Sequence, residues 1–303
     1  MSSATRALAT DPALAAPPAG AGPSRRSRVK WGPLLLLLPA IAVVTMFFLV
    51  PLVDVFVRSV TDPEPGLQNY EWLLTNPVNL EVIARTFLTS LVVTFACLVV
   101  AYPYAYLMTI VGERARAWLT LFVMMPLWTS ILVRTLAWMV LLADTGPIND
   151  FLEAIGVGRQ PLIRTTFGVA LGMAQVLLPF MVLPIYSALA KIDRRLLSAS
   201  SSLGANGITT FFRVYLPLSR PGIFAGSITV FILGLGFYII PSLLGSPKEA
   251  MVSSLIYQQV SVFLLWGQGA ALGIALLVVT LIILVVFNRF VRGASLAPGV
   301  EPE

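Results

Sequence analysis

Histidine is absent from this 303-residue chain, cysteine occurs once, and charged residues make up only 11% of it. Each scarcity excludes something. Without histidine the commonest general base and the commonest metal ligand are missing. The single cysteine, Cys97, lies within an apolar run, so no disulfide closes inside the chain and no metal site is expected. Soluble domains are about one quarter charged. This chain is instead 57% hydrophobic, with a mean hydropathy of +0.88. No G-x-S-x-G nucleophile elbow and no Walker phosphate loop is present, so no catalytic residue and no cofactor is expected. The net charge of +6 needs no nucleic acid to explain it, because membrane topology accounts for it.

The apolar residues gather into runs of the roughly 20 residues that a helix needs to cross about 30 Å of hydrocarbon. Six spans are predicted, near Pro33–Val57, Thr86–Ile110, Leu119–Ala143, Thr166–Ala190, Gly222–Leu244 and Ala270–Phe287. The expected fold is therefore all-α, a polytopic membrane protein set in the lipid bilayer. Arg25, Arg26, Arg28 and Lys30 precede the first run, which is too long for a signal-peptide core and reads as a retained span. Residues 1–30 read as a disordered basic tail, 31–292 as the membrane domain and 293–303 as a second tail.

Basic residues should collect in cytoplasmic loops. With the N-terminus inside, so do the five in the first 30 residues, Arg114 and Arg116, the five between Lys191 and Arg220, and Arg289 and Arg292. Asp62, Glu64, Glu71, Glu81, Asp144, Asp150, Glu153 and Glu249 all fall outside. Both termini are thus expected in the cytoplasm of a cell with an inner membrane. Pro103, Pro126, Pro179, Pro184 and Pro241 interrupt the spans, either as packing kinks or as bends around a pathway. Gly222 and Gly226, one helical turn apart, allow close helix approach.

Between the fourth and fifth spans lies a polar island, Lys191 to Arg220, KIDRRLLSASSSLGANGITTFFRVYLPLSR. Asp193 is placed to cap a helix with apolar positions Leu196, Leu197 and Leu203, which Gly204 ends through a left-handed turn. Asn206 then caps a second helix through Phe211, Phe212, Val214 and Leu216, which Pro217 is expected to end. Such an elbow either rests on lipid headgroups or faces a soluble partner.

The island resembles the coupling loop of permease subunits of ABC importers. That pattern reads Glu-Ala-Ala, three residues, Gly, nine residues, Ile-x-Leu-Pro. Here Ser198-Ala199-Ser200 stands for Glu-Ala-Ala, Leu203-Gly204-Ala205 supplies the glycine, and Val214-Tyr215-Leu216-Pro217 matches the end. Ser198 departs from the usual glutamate. A second block, Pro126-Leu127-Trp128-Thr129-Ser130 with Val133-Arg134-Thr135 and Ala137-Trp138, resembles the third span of the spermidine/putrescine-type permeases. Gly146-Pro147-Ile148-Asn149 and Leu244-Gly245-Ser246-Pro247 also fit that branch. The resemblance implies the type I ABC importer permease fold and ATP hydrolysis in two separate ATP-binding cassette ATPase subunits. It also implies a second homologous permease subunit in a heterodimer, and a periplasmic solute-binding protein. The solute implied is a polyamine, with amino-acid-like solutes, opines or aminophosphonates as the alternative. A secondary transporter is the reading from another class. It needs a carboxylate at mid-membrane, whereas Asp54 and Asp144 lie near the outer span ends.

Coupling is expected to rest on Ser198, Ala199, Ser200, Leu203, Gly204, Ala205, Leu216 and Pro217. Candidate pathway residues are Trp128, Thr129, Arg134, Trp138, Gln175 and Tyr238, with Gln258 and Gln259 near the entrance. Aromatic faces attract alkylammonium groups. Arg134, deep in its predicted span, either contacts solute or clamps the span through a carbonyl or an ion pair with Asp54 or Asp144.

Overall fold

The computed structural model describes residues 31–295, except the side chains at 31–37, 194, 197, 198, 201, 288 and 290–295. The 1–30 tail assignment falls outside that range; the 293–303 assignment does so only beyond Ser295, since 293–295 close the last helix. The described backbone is helical, with no strand. The chain divides at Pro51. The first unit holds α1 (Trp31–Val44) and a π-helical turn, Thr45–Leu49, and its described side chains are all exposed.

Helix α2 (Val50–Thr61) starts at that boundary, followed by α3 (Gln68–Thr75) and α4 (Pro77–Ile110). Asn76 starts α4, its carboxamide oxygen accepting the Val78 N–H at 2.9 Å, with Pro77 in the first turn where no donor is needed. Next come α5 (Glu113–Trp128), α6 (Ile131–Leu141), α7 (Pro147–Ala154) and α8 (Thr166–Leu189). The elbow is α9 (Arg194–Ser202) and α10 (Gly207–Thr210), leading through a π-turn, Phe211–Tyr215, into α11 (Leu216–Leu235). The described residues end with α12 (Ile239–Leu244), α13 (Val252–Tyr257), a π-turn at Gln258–Val262 and α14 (Trp266–Ser295).

Helices α4, α8 and α11 pack on one another to form the core. Val93, Cys97, Ala101 and Ala105, four residues apart on α4, meet Met173, Leu177, Met181 and Ile185 on α8. The expected close approach at Gly222 and Gly226 is present. A Cβ on Gly222 would stand 2.6 Å from the Pro184 carbonyl oxygen, and one on Gly226 would stand 2.8 Å from the Met181 sulfur. Gly234 meets Ser90 of α4 in the same way, at 3.2 Å.

The third span, the fifth span and the second elbow helix differ from expectation in ways that shape the site. Among the described residues five helices are long and apolar enough to cross a bilayer, and a sixth crossing exists only if α5 and α6 count together. Those two are bent by 98° at Thr129, which is extended, and Ser130, which is not helical, so the third span is not one straight helix. Pro126 has no N–H to offer the Phe122 carbonyl, and its own carbonyl accepts the Thr129 hydroxyl at 3.2 Å at the break. The fifth span stops at Leu235 rather than Leu244. Pro241 cannot donate to the Phe237 carbonyl, which the Ser253 hydroxyl takes instead. Pro217 does not end the second elbow helix, which runs on as one 29-residue helix, Gly207–Leu235. The π-turn widens the ladder just before the proline, with the Leu216 N–H reaching Phe211, so the ring meets no tight turn.

Candidate coupling elbow and solute pathway

The elbow is built by its polar residues. Asp193 accepts the Arg195 N–H at 2.9 Å and starts α9. Gly204 adopts φ +77°, and the Ala205 N–H reaches back to the Ser200 carbonyl at 3.1 Å, the closure a left-handed C-terminal residue permits. Asn206 accepts the Thr209 N–H at 2.8 Å and starts the second arm. The hydroxyls of Ser200 and Thr210, 2.9 Å apart, tie the two arms together.

This leaves a concave surface of about 570 Å³ lined in part by Ala199, Ser200, Leu203, Gly204, Ala205 and Arg213. Five of the eight expected coupling residues therefore meet there. Leu216 and Pro217 do not line it and instead open α11. Ser198 lies in α9, but its side chain is outside the described set. Leu203 is 88% exposed, Ile208 71% and Phe212 60%, so the elbow carries apolar side chains that nothing within the chain covers.

One feature of the elbow escaped the sequence reading. The rings of Tyr102 and Tyr106, one turn apart on α4, stand edge-on to Phe211 at 5.5 Å and Tyr215 at 5.4 Å. The Tyr102 hydroxyl lies 3.1 Å from that of Ser219. The π-turn is thereby fastened to the core helix, and displacement of the elbow bears directly on α4. The signal was the Tyr102–Tyr106 spacing near the end of a long apolar run.

The pathway candidates do not converge. Trp138 donates its indole N–H to the Gln175 carboxamide oxygen at 2.6 Å, and both line an otherwise apolar groove of about 420 Å³ with Cys97, Phe167 and Leu178. Gln175→Leu is expected to leave that N–H unpaired, a loss of about 1–3 kcal/mol. Thermal unfolding in detergent should show a lower melting temperature. Trp138→Phe combined with Gln175→Leu should lose less than the two single changes added together.

Trp128 is 69% exposed at the end of α5, and Thr129 forms the break. Arg134 donates from Nη2 to the Thr129 carbonyl at 2.9 Å and so clamps the break. Its Nε and Nη1 are buried with no partner among the described residues. Asp54 pairs with Arg58 at 2.8 Å instead, and Asp144 offers its carbonyl to Arg159 at 2.9 Å. The hydrogen bond and charge of Glu153 raise the Arg159 pKa. Asn149 bridges Ala143 and Gln160, so the Gly-Pro-Ile-Asn motif closes a loop. Tyr238 stands apart, 5.2 Å from the Tyr257 ring in a recess that Gln258 also lines. Gln259 is buried, and a Cβ on Gly269 of α14 would stand 3.6 Å from its Cβ. It therefore packs toward α14 and is not among the recess-lining residues.

A family model described as binding-protein-dependent transport system inner membrane component matches residues 101–295. The spermidine/putrescine transport system permease protein PotB of Escherichia coli K12 is 34% identical over 266 residues, covering 87% of this chain and 95% of that relative. PotB of Haemophilus influenzae is 36% identical over 225 residues, covering 74% and 78%. The inner membrane ABC transporter permease protein YdcU of Escherichia coli K12 is 35% identical, covering 79% of each. In fold, a chain of a bacterial ABC transporter for the import of alginate matches at TM-score 0.69 and 20% identity over 86% of this chain and 95% of its own length. A chain of the MetNI methionine ABC transporter matches at 0.55 and 18%, over 74% and 96%. With its elbow between two apolar helices and a matched segment covering most of the membrane region, the chain belongs to the family of binding-protein-dependent transport system inner membrane components.

Proposed function

We propose that this protein forms half of the membrane pathway of an ATP-driven importer of polyamines. The observation that carries the mechanism is the elbow, which holds Gly204 in a left-handed turn beside a Leu203 that is 88% exposed. An apolar knob on a rigid two-helix arm suits a cleft in a soluble partner, here an ATP-binding cassette ATPase subunit on the cytoplasmic side. Closure of two such subunits would move the elbow, and the Tyr102 and Tyr106 contacts would pass that movement to α4. The bias of basic residues toward the tails and the elbow supports a cytoplasmic side for both. A second, different permease subunit completes the pathway, and a periplasmic binding protein delivers the solute to its outer mouth. The solute class rests on the two PotB relatives, which cover most of the chain.

The test is uptake of labelled spermidine and putrescine into proteoliposomes holding this chain with its partner permease and ATPase. ATP and the loaded binding protein should both be required. Uptake by this chain alone would overturn the importer reading in favour of a secondary transporter. A binding protein whose melting temperature no polyamine raises would remove the solute assignment only.

A further inference from the structure

Three helix ends meet beside the elbow: α4 stops at Ile110, α5 starts at Glu113 and α8 stops at Leu189. They frame a recess of about 360 Å³, lined in part by Thr109, Ile110, Arg116, Tyr186, Ile192 and Tyr215. That is within the size range of small-molecule sites. The recess shares no lining residue with the concave surface of the elbow. Among the described residues Arg116 is the one charged side chain in its wall.

The end of α4 holds that charge in place. Arg116 donates from Nε to the Met108 carbonyl at 3.1 Å and from Nη2 to the Val111 carbonyl at 3.3 Å. The last carbonyls of a helix carry partial negative charge and suit such a cation. Both bonds leave the Nη1 protons for a further acceptor. The surroundings favour an anion as that acceptor. Segments 111–118 and 190–220 carry seven basic residues against two acids, Glu113 and Asp193, neither of which lines the recess.

Two features set its level and its apolar side. Trp118 is 62% exposed and lies two residues from Arg116, about 3 Å along the helix axis. Exposed tryptophans gather at headgroup depth. On α4, Pro103, Leu107 and Ile110 form an exposed apolar face that starts at the recess and runs toward the middle of the span.

We propose that this recess binds the phosphate group of an anionic phospholipid of the cytoplasmic leaflet. Arg116 is its charge partner and Tyr186 supplies a hydroxyl donor, while an acyl chain lies along Pro103, Leu107 and Ile110. A free phosphate offers the same charge but has nothing to place on that apolar face. The proposal rests on the cytoplasmic placement of the elbow given above. Because Tyr215 belongs to the π-turn and Arg116 and Tyr186 to α5 and α8, the bound lipid ties the base of the elbow to both helices.

The test is native mass spectrometry of the complete transporter with phosphatidylglycerol or phosphatidylcholine added. Phosphatidylglycerol should be retained preferentially. One basic residue at an anionic surface is worth about fivefold in binding. Arg116→Gln should therefore cut phosphatidylglycerol retention about fivefold and leave phosphatidylcholine unchanged, and Arg116→Lys should restore most of the loss. The wild-type complex gives the answer even where the glutamine variant fails to assemble. Phosphatidylglycerol with a photoreactive group beside its phosphate should label peptides holding Arg116, Tyr186 or Tyr215, and millimolar inorganic phosphate should not compete. Equal retention of the two lipids, labelling elsewhere or displacement by inorganic phosphate would overturn the lipid site alone. Orientation is read separately, with Arg195→Cys and a membrane-impermeant maleimide, since the native Cys97 is buried. Reaction from the outer side of sealed vesicles would overturn the cytoplasmic placement beneath the proposal.

Discussion

Gly222→Val is expected to abolish the folded permease, lowering the yield of monodisperse protein after detergent extraction by tenfold or more. At this crossing of α11 on α8 even a single added carbon lands 2.6 Å from both the Pro184 carbonyl oxygen and the Ala188 Cβ, and 3.0 Å from the Ile185 Cα. Those are backbone or backbone-attached atoms with no rotamer to change. The two helices must separate, and with them the core that Met181 and Ile185 share with α4. Overpacking of a well-filled interior costs about 1–3 kcal/mol and more where backbone must move. Gly226→Ala provides the contrast. Its nearest obstacle, at 2.8 Å, is the Met181 sulfur, the end of a flexible side chain, with the backbone oxygen further off at 3.1 Å. That variant should fold with a melting temperature only modestly lowered. Size-exclusion profiles and thermal unfolding of both proteins check the pair. A monodisperse Gly222→Val protein of unchanged stability would mean that the helices do not cross this closely.

That crossing was legible in the sequence as two glycines four residues apart, because membrane helices without a hydrophobic force between them rely on small residues for contact. The elbow was legible too. Asp193, Gly204 and Asn206 are start, stop and start signals whose hydrogen bonds are local, and each makes the contact its position predicts. The failures have a common cause. Hydropathy measures whether residues tolerate lipid, not whether the helix through them is continuous, so the 98° bend between α5 and α6 and the stop at Leu235 left no trace in it. Pro126 and Pro241 marked both places, but prolines equally marked Pro179 and Pro184, across which α8 stays helical. At Pro241 a distant side chain takes over the freed carbonyl, Ser253 for Phe237, which no local signal announces. The pairing of Trp138 with Gln175, 37 residues apart, and of Tyr238 with Tyr257 likewise depends on tertiary placement. Taken one residue at a time, Trp138, Gln175 and Tyr238 read as members of one pathway. The fold puts the first two in one groove and the third in another recess.

Gly204→Asp should separate ATP hydrolysis from transport. A Cβ at Gly204 meets nothing within 4 Å, so the chain itself has room for a side chain there. The cost inside this protein is the left-handed backbone at φ +77°, about 1–2 kcal/mol for most residues and less for Asn and Asp, which visit that region routinely. Membrane insertion and assembly should therefore survive both Gly204→Asn and Gly204→Asp. A larger loss in the aspartate variant isolates charge from shape. If the elbow docks in a protein cleft, Gly204→Asp should cut spermidine uptake at least tenfold while ATP hydrolysis continues, and Gly204→Lys should do the same. If the elbow instead rests on anionic headgroups, the two charges act in opposite directions: lysine strengthens the contact and aspartate weakens it, and the difference shrinks in neutral lipid or high salt. Uptake and hydrolysis measured side by side for the four proteins, in anionic and in neutral vesicles, decide between them. Normal transport by the Gly204→Asp complex would remove the docking model. Because the expected Glu of the coupling pattern is Ser198 here, the contact has one fewer charge to hold it. The penalty for filling the space at Gly204 should be correspondingly severe.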